Sequence, residues 1–385
     1  MSANLWNGKI ISDADFKSSF EKNVSNSAFW VKPPLSNYVL FDVVKKIQTE
    51  LLKKEIFYKT LVQDLKSRED ITVDEIELSM QGLIDFLSVD QLRIKLKREL
   101  GSEYPFELKR QSSKEGQFEA WYPLGTLVHV TPNNSPLLGV LGLMEGLLST
   151  NVNVLKLARK DSAFAAIFYE KLCALDSTQT IKDYIYIAKI SSREKDYLKQ
   201  VLGLADVISA WGGEESVQSI RELAPRGVRI VEWGHKISFS YITQIKKEDP
   251  NVLRKLAYEI CLNEQMACSS PQCVYIEDAN FLELQNTAKL LSQALSEVSP
   301  TIKRILPQGA EMAEITVTKE QVRLKSILGE SLLVESSAHD WRIYIENNPG
   351  LNSSPLFRTI WLKPMPRNKM IEHLRPLKTY LQTAG

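Results

Sequence analysis

Cys268 is followed by Ser269, Ser270 and Pro271, a polar, turn-prone run that does not look like the centre of an apolar core. By residue type alone a cysteine is more often a small buried hydrophobe than a nucleophile. The polar neighbours, and a preceding helix that could end close by, leave the thiol open as a nucleophile. A helix N-terminus facing it would favour the thiolate. Asn134 lies in Thr131-Pro132-Asn133-Asn134-Ser135-Pro136, where Asn and Pro read first as turn formers. His235 is a further candidate acid or base on its chemistry alone. The other cysteines are Cys173, Cys261 and Cys273. No histidine is near the 261–273 cluster and no C-x-x-C pair occurs, so neither a metal site nor a disulfide framework is expected.

The elements that must position these residues alternate. Thr126–Val130 reads as a strand, then the Pro/Asn turn, then a helix of small residues and leucines to about Leu148. Val152–Leu157 is a second strand, followed by a helix from about Ser162 to Leu175. Ile185–Ile190 and Val207–Ala210 are strand candidates separated by a polar helix, and Gly227–Val231 supplies another. Short apolar strands alternating with helices predict a parallel sheet covered on both faces, with the turns after the strands lining one ligand-binding edge. From Asp13 to about Arg98 the pattern is mostly helical, with Ile76, Leu78, Leu83, Phe86, Leu87 and Val89 as an irregular apolar stripe. Beyond Lys236 the pattern is less regular: a helix over Val252–Leu262, a strand at Cys273–Ile276 and a long helix around Leu282–Leu295. We place the domain boundary near residue 235.

A chain of 385 residues suffices for two domains, and 44% hydrophobic with 25% charged residues is an ordinary globular balance. A formal net charge of +1 gives no electrostatic argument for nucleic acid or an anionic membrane as partner. The apolar run Leu137–Leu148 contains Glu145 and is too short to span a bilayer, and no secretory signal opens the sequence. A cytoplasmic location is expected.

From about residue 115 onward the chain resembles the aldehyde dehydrogenase superfamily and, within it, the acyl-CoA reductase family of bacterial bioluminescence, the long-chain fatty acid reductases. Five motifs carry the resemblance in family order. Trp121-Tyr122-Pro123-Leu124-Gly125 leads into the 131–136 run, similar to the Pro-x-Asn-x-Pro loop. Asn151-Val152-Asn153-Val154-Leu155-Lys156 is similar to the Gly-Asn-x-x-x-x-Lys strand, with Thr150 in place of glycine. Trp211-Gly212-Gly213 resembles the loop that meets the cofactor pyrophosphate. Glu232-Trp233-Gly234-His235-Lys236 resembles the Glu-Leu-Gly-Gly-Lys motif. Ala267-Cys268-Ser269-Ser270-Pro271-Gln272 matches the reductases' nucleophile segment.

The resemblance implies an α/β, aldehyde dehydrogenase-like fold, with a doubly wound nucleotide-binding domain over 1–235 and a second, nucleophile-bearing catalytic domain over 236–385. It implies that Cys268 takes an acyl group from a long-chain thioester or acyl-protein. Reduction of that acyl-enzyme by a nicotinamide cofactor then releases a fatty aldehyde. The Asn134 amide and the Cys268 backbone N–H would stabilise the oxyanion. Glu232 takes the place of the superfamily's general base, or else merely ends a strand. Thr131, Pro132, Lys156, Arg159, Trp211, Gly212 and Gly213 are the expected cofactor contacts. Where NAD-preferring members carry a glutamate this chain has Arg159, a guanidinium suited to a 2′-phosphate, which favours NADPH.

Acyl-protein synthetase and acyl-transferase partners and a homo-oligomer are implied by the same resemblance. Two departures stand out. Ser354-Pro355-Leu356-Phe357 lies where classical dehydrogenases have Glu-x-Phe, and the chain stops at Gly385, short of the related reductases, so the catalytic domain is expected to be truncated. Alternatives are an aldehyde dehydrogenase running toward acid, and a truncated scaffold subunit that turns nothing over.

Overall fold

A computed structural model of the chain describes residues 4–68, 71–110, 116–132, 136–159, 161–234 and 236–385. It divides into two units, Met1–Gly234 and His235–Gly385.

In the first unit, β1 (Asn4–Trp6) and β2 (Lys9–Ile11) form a hairpin that the sequence pattern did not reveal. Five further strands follow: β3 (Thr126–Val130), β4 (Val152–Leu157), β5 (Ile185–Lys189), β6 (Val207–Trp211) and β7 (Arg229–Trp233). The sheet order is β2-β1-β5-β4-β3-β6-β7, and the last five strands are mutually parallel. The strand order reverses between β3 and β6, and a doubly wound sheet usually takes its ligand outside the carboxyl ends of the strands at such a point. β4 is buried along its whole length, as a strand covered on both faces must be.

Two helices show why local composition matters. α1 (Pro136–Leu148) and α2 (Phe164–Leu175) follow β3 and β4. The Tyr169 hydroxyl donates to the Val140 carbonyl at 2.7 Å and ties them together. Gly146 of α1 lies so close to the Asn153 side chain that an added Cβ would stand 1.7 Å from its Oδ1, hence the small residue there.

The N-terminal helices Asp13–Asn23, Asn37–Leu52, Ile56–Lys66, Val73–Phe86 and Val89–Leu100 belong to this unit. Val73–Phe86 begins with a capping box between Thr72 and Glu75. Its buried residues include Ile76, Met80, Leu83 and Ile84, a helical 3–4 spacing. Leu78, counted in the expected stripe, falls off that face and is exposed.

The second unit is built on β8 (Ile237–Ile242), β9 (Pro271–Glu277), β10 (Ser331–Glu335), β11 (Arg342–Glu346), β12 (Thr359–Met365) and β13 (Leu381–Ala384). Their order is β10-β11-β12-β9-β8-β13, parallel except for the β10/β11 pair. The helices Pro250–Cys261 and Phe281–Val298 contribute Leu253, Ile260, Leu284, Leu291 and Leu295 to a core shared with Ile343, Ile345, Ile360 and Leu362. On the sheet, the Lys363 ammonium is buried against Glu346 at 2.6 Å and Asn352 at 2.6 Å. Burial alone would push the Glu346 carboxyl up, but hydrogen bonds from Lys325 and Lys363 outweigh it and hold the group at about 2.

Candidate active site

Cys268 sits in the loop between a short helical turn (Leu262–Gln265) and β9. It is exposed, whereas Cys173, Cys261 and Cys273 are buried. Burial pushes those three thiols up, to about 12, 11 and 12 respectively. Only Cys268 is therefore an accessible thiol. The segment that follows it is a strand rather than a helix, so no helix N-terminus in its own loop polarises the sulfur. Its backbone is fixed from the neighbouring strand: the buried Ser238 hydroxyl donates to the Cys268 carbonyl at 2.6 Å.

The neck of this loop is closed by Gln265. Its Nε2 donates to the carbonyls of Pro271 (2.9 Å) and Thr359 (3.0 Å), and its Oε1 accepts from the Thr359 N–H at 2.8 Å. Residues 266–270 are thus a loop with Cys268 at its middle and both ends held at the amino edge of the sheet. Next to Gln265, Glu264 pairs with Arg358 at 2.7 Å, and each is only 1% exposed. Ser354, where a glutamate stands in classical dehydrogenases, is buried and engaged with the Leu356 N–H and the Thr359 carbonyl.

In the first unit, the expected cofactor residues collect at the carboxyl ends of the strands. Thr131 and Pro132 follow β3, and Trp211, Gly212 and Gly213 follow β6, so the two groups flank the switch point. Gly213 is the N-cap of the ten-residue helix Glu214–Leu223. Lys156 lies in register with Val130 and Ala188 and is 8% exposed. Burial lowers the pKa of its ammonium, opposed by the Asp161 carboxylate. A polar or anionic ligand group at this edge would offset that desolvation. Arg159 is half-exposed and bonded to Asp13 at 2.5 Å and Glu194 at 3.2 Å.

Glu232, on β7, accepts a hydrogen bond from Arg221 and is partly exposed. The indoles of Trp211 and Trp233 stack, with centroids 4.7 Å apart, and both donate to the Ser209 hydroxyl. Asn134 and His235 lie outside the described residues.

Thr150 has φ +58°, the left-handed region where glycine is at home, which accounts for a glycine at that place in the superfamily motif. Reading the residues alone missed Glu264, Gln265, Arg358, Ser238 and the Trp211–Trp233 stack. The alternation of Ile237, Phe239 and Tyr241 with Ser238 and Ser240 was a signal for β8, and thus for Ser238 as an inward polar residue. Among the described residues no group of three or more His, Cys, Asp or Glu could hold a metal ion, and no helix is long and apolar enough to cross a membrane.

Comparisons with known proteins agree with this architecture. The chain is 22% identical over 376 residues to a long-chain acyl-protein thioester reductase of Photorhabdus luminescens, covering 96% of this chain and 74% of that protein. It is 25% identical over 245 residues to one from Aliivibrio fischeri, covering 62% of this chain and 49% of that relative's length. The crystal structure of an aldehyde dehydrogenase from Brucella melitensis biovar abortus 2308 superposes with TM-score 0.69 at 11% identity, covering 100% of this chain and 89% of that one. At that identity the likeness concerns the fold, which is that of the aldehyde dehydrogenases. The family model for acyl-CoA reductase (LuxC) matches residues 34–385. The chain belongs to the acyl-CoA reductase (LuxC) family, a family of oxidoreductases.

Proposed function

We propose that the protein reduces long-chain acyl thioesters, or an acyl group carried on a partner protein, to fatty aldehydes through a Cys268 acyl-enzyme. The observation that carries this reading is the single exposed thiol, held at the middle of a loop whose neck is pinned. The Cys268 thiolate attacks the thioester carbonyl, and the donor's thiol departs. The Cys268 backbone N–H and the Asn134 amide stabilise the oxyanion, a donor of this kind being worth about 3 kcal/mol. A tetrahedral adduct on Cys268 then collapses, releasing aldehyde and regenerating the thiol.

NADPH is the proposed cofactor, and when bound it supplies the hydride. The residues fit it: Lys156 offers a largely buried ammonium at the carboxyl end of its strand, and Gly213 caps a helix of ten residues beside the switch point. Thr131, Pro132, Trp211 and Gly212 line the same edge, and Arg159 provides the donors for a 2′-phosphate. Glu232 is proposed to handle the proton at collapse, for which it would leave Arg221. Delivery of the acyl group by acyl-protein synthetase and acyl-transferase subunits, a homo-oligomer and a cytoplasmic setting complete the proposal.

The test is turnover. Wild-type protein given myristoyl-CoA and NADPH is expected to release one aldehyde per NADPH oxidised, and Cys268→Ala is expected to release none. Equal NADPH oxidation by the two proteins would overturn the role of Cys268. Asn134→Ala is expected to lower turnover roughly a hundredfold without unfolding the protein.

A further inference from the structure

Two stretches of backbone near Cys268 are in a conformation their sequence does not favour. Asn263, Glu264 and Gln265 have φ of 49°, 46° and 64°, and Leu356, Phe357 and Arg358 have φ of 61°, 50° and 59°. None is a glycine, and the left-handed conformation costs an ordinary residue about 1–2 kcal/mol. Such runs persist only where the surroundings over-determine them, and they concentrate at functional sites. The first run enters the Cys268 loop and the second enters β12 directly. Since β9 and β12 are parallel neighbours, both runs lie at the amino edge of one sheet.

The two runs hold one another. The Phe357 N–H donates to the Glu264 carbonyl at 3.0 Å. Arg358 reaches Glu264 Oε1 through Nε (3.1 Å) and Nη2 (2.7 Å), and Nη1 donates to the Ser299 hydroxyl (2.8 Å) and carbonyl (3.0 Å). Nη2 also meets the Ile302 carbonyl at 3.1 Å. The Lys303 carbonyl, 3.4 Å from Nη2, is a fifth protein acceptor, so every nitrogen of the guanidinium is bonded in a fixed fork. Glu264 Oε1 takes a further N–H from Ile305, while Oε2 has no partner among the described residues. Gln265, at the near end of the loop, then joins its far end at Pro271 and the strand start at Thr359, next to Arg358.

A buried ion pair is a poor way to gain stability, because desolvation offsets most of the attraction. It is a good way to specify one backbone geometry. We infer that Glu264 and Arg358, acting through Gln265, are positioning residues that set the backbone of the Cys268 loop for acyl transfer. The inference rests on the acyl-transfer reading and names the device that serves it. What must be set is the direction of the loop's N–H groups toward an oxyanion. The exposure of the sulfur does not depend on that direction, so the two properties can be separated.

The experiment compares two reactions at Cys268 in the full chain. Alkylation by iodoacetamide reports an accessible thiolate, and acylation by myristoyl-CoA, followed by intact mass, also requires oxyanion donors in place. The double variant Glu264→Gln/Arg358→Met removes both charges together, so no orphan ion is left in the interior. Its acylation rate is expected to fall roughly a hundredfold, through the rate constant rather than the donor concentration at half-saturation. Its alkylation rate should stay within about threefold of wild type. Should the double variant fail to fold by circular dichroism, Gln265→Glu, which keeps the acceptor for the Thr359 N–H and loses the donor to the Pro271 and Thr359 carbonyls, is judged by the same two rates. Wild-type acylation in the variant, with only a lower melting temperature, would overturn the inference and leave the acyl-transfer reading intact. So would a parallel fall in alkylation. A wild-type protein that alkylates at Cys268 but takes no acyl group would overturn both.

Discussion

Trp211 and Trp233 stack at the carboxyl ends of adjacent strands, their ring planes 12° from parallel and their N–H groups sharing the Ser209 hydroxyl. Trp211 begins the loop expected to meet the cofactor pyrophosphate, and Trp233 is 42% exposed on the same edge. Adding NADPH is therefore expected to quench indole emission and sensitise nicotinamide emission. Trp211→Phe/Trp233→Phe should lose most of that transfer. An unchanged signal in the double variant would place the cofactor elsewhere.

Cofactor choice should hinge on the charges around Arg159. Asp13 and Glu194 already occupy its guanidinium, so a 2′-phosphate has to compete with two carboxylates. Glu194→Gln is expected to lower the KM for NADPH severalfold and leave that for NADH nearly unchanged. Arg159→Ala should raise the KM for NADPH about tenfold, the scale of one charge-assisted contact. Equal effects on both cofactors would remove Arg159 from 2′-phosphate recognition.

Stability should fall on mild acidification through His129. Burial lowers its pKa from 6.5, against opposing effects of the Asn153 hydrogen bond and the Glu145 charge. Because the unfolded chain binds the proton first, the native state loses stability as pH drops below about 6.5, by at most about 1.4 kcal/mol per pH unit from this one group. Between pH 7.5 and 5.5 the melting temperature of wild type should drop more than that of His129→Gln. Equal drops would contradict the assignment.

Thr150→Gly should stabilise the first unit. The threonine is β-branched, sits at φ +58°, and its buried hydroxyl has no partner among the described residues. Relief of the left-handed conformation is worth about 1 kcal/mol, or roughly 2–4 °C in melting temperature for a unit of this size. A lower melting temperature would show that the packing of the side chain outweighs the strain.

Much of the first unit was legible because its strands are buried on both faces and bounded by turn residues: Thr126–Val130 and Val152–Leu157 coincide with β3 and β4. The β1–β2 hairpin was not, since strands of three residues carry no usable period and their partner, β5, is remote in sequence. β8 was missed although its Ile/Ser/Phe/Ser/Tyr alternation was present. The left-handed runs at 263–265 and 356–358 could not be read locally at all. Neither contains glycine, and their conformation is fixed by a pair 94 residues apart, Glu264 and Arg358. The thiol itself was marked by polar neighbours and by motif, while the clasp that holds it is purely tertiary.

The most direct test of the account is the intact mass of the protein after mixing with myristoyl-CoA, wild type beside Cys268→Ala, followed by addition of NADPH. The account predicts a myristoyl-sized gain in wild type alone, lost on adding NADPH as aldehyde appears. A folded, cofactor-binding wild type that never carries the acyl group, or a Cys268→Ala variant that carries it equally, would contradict it.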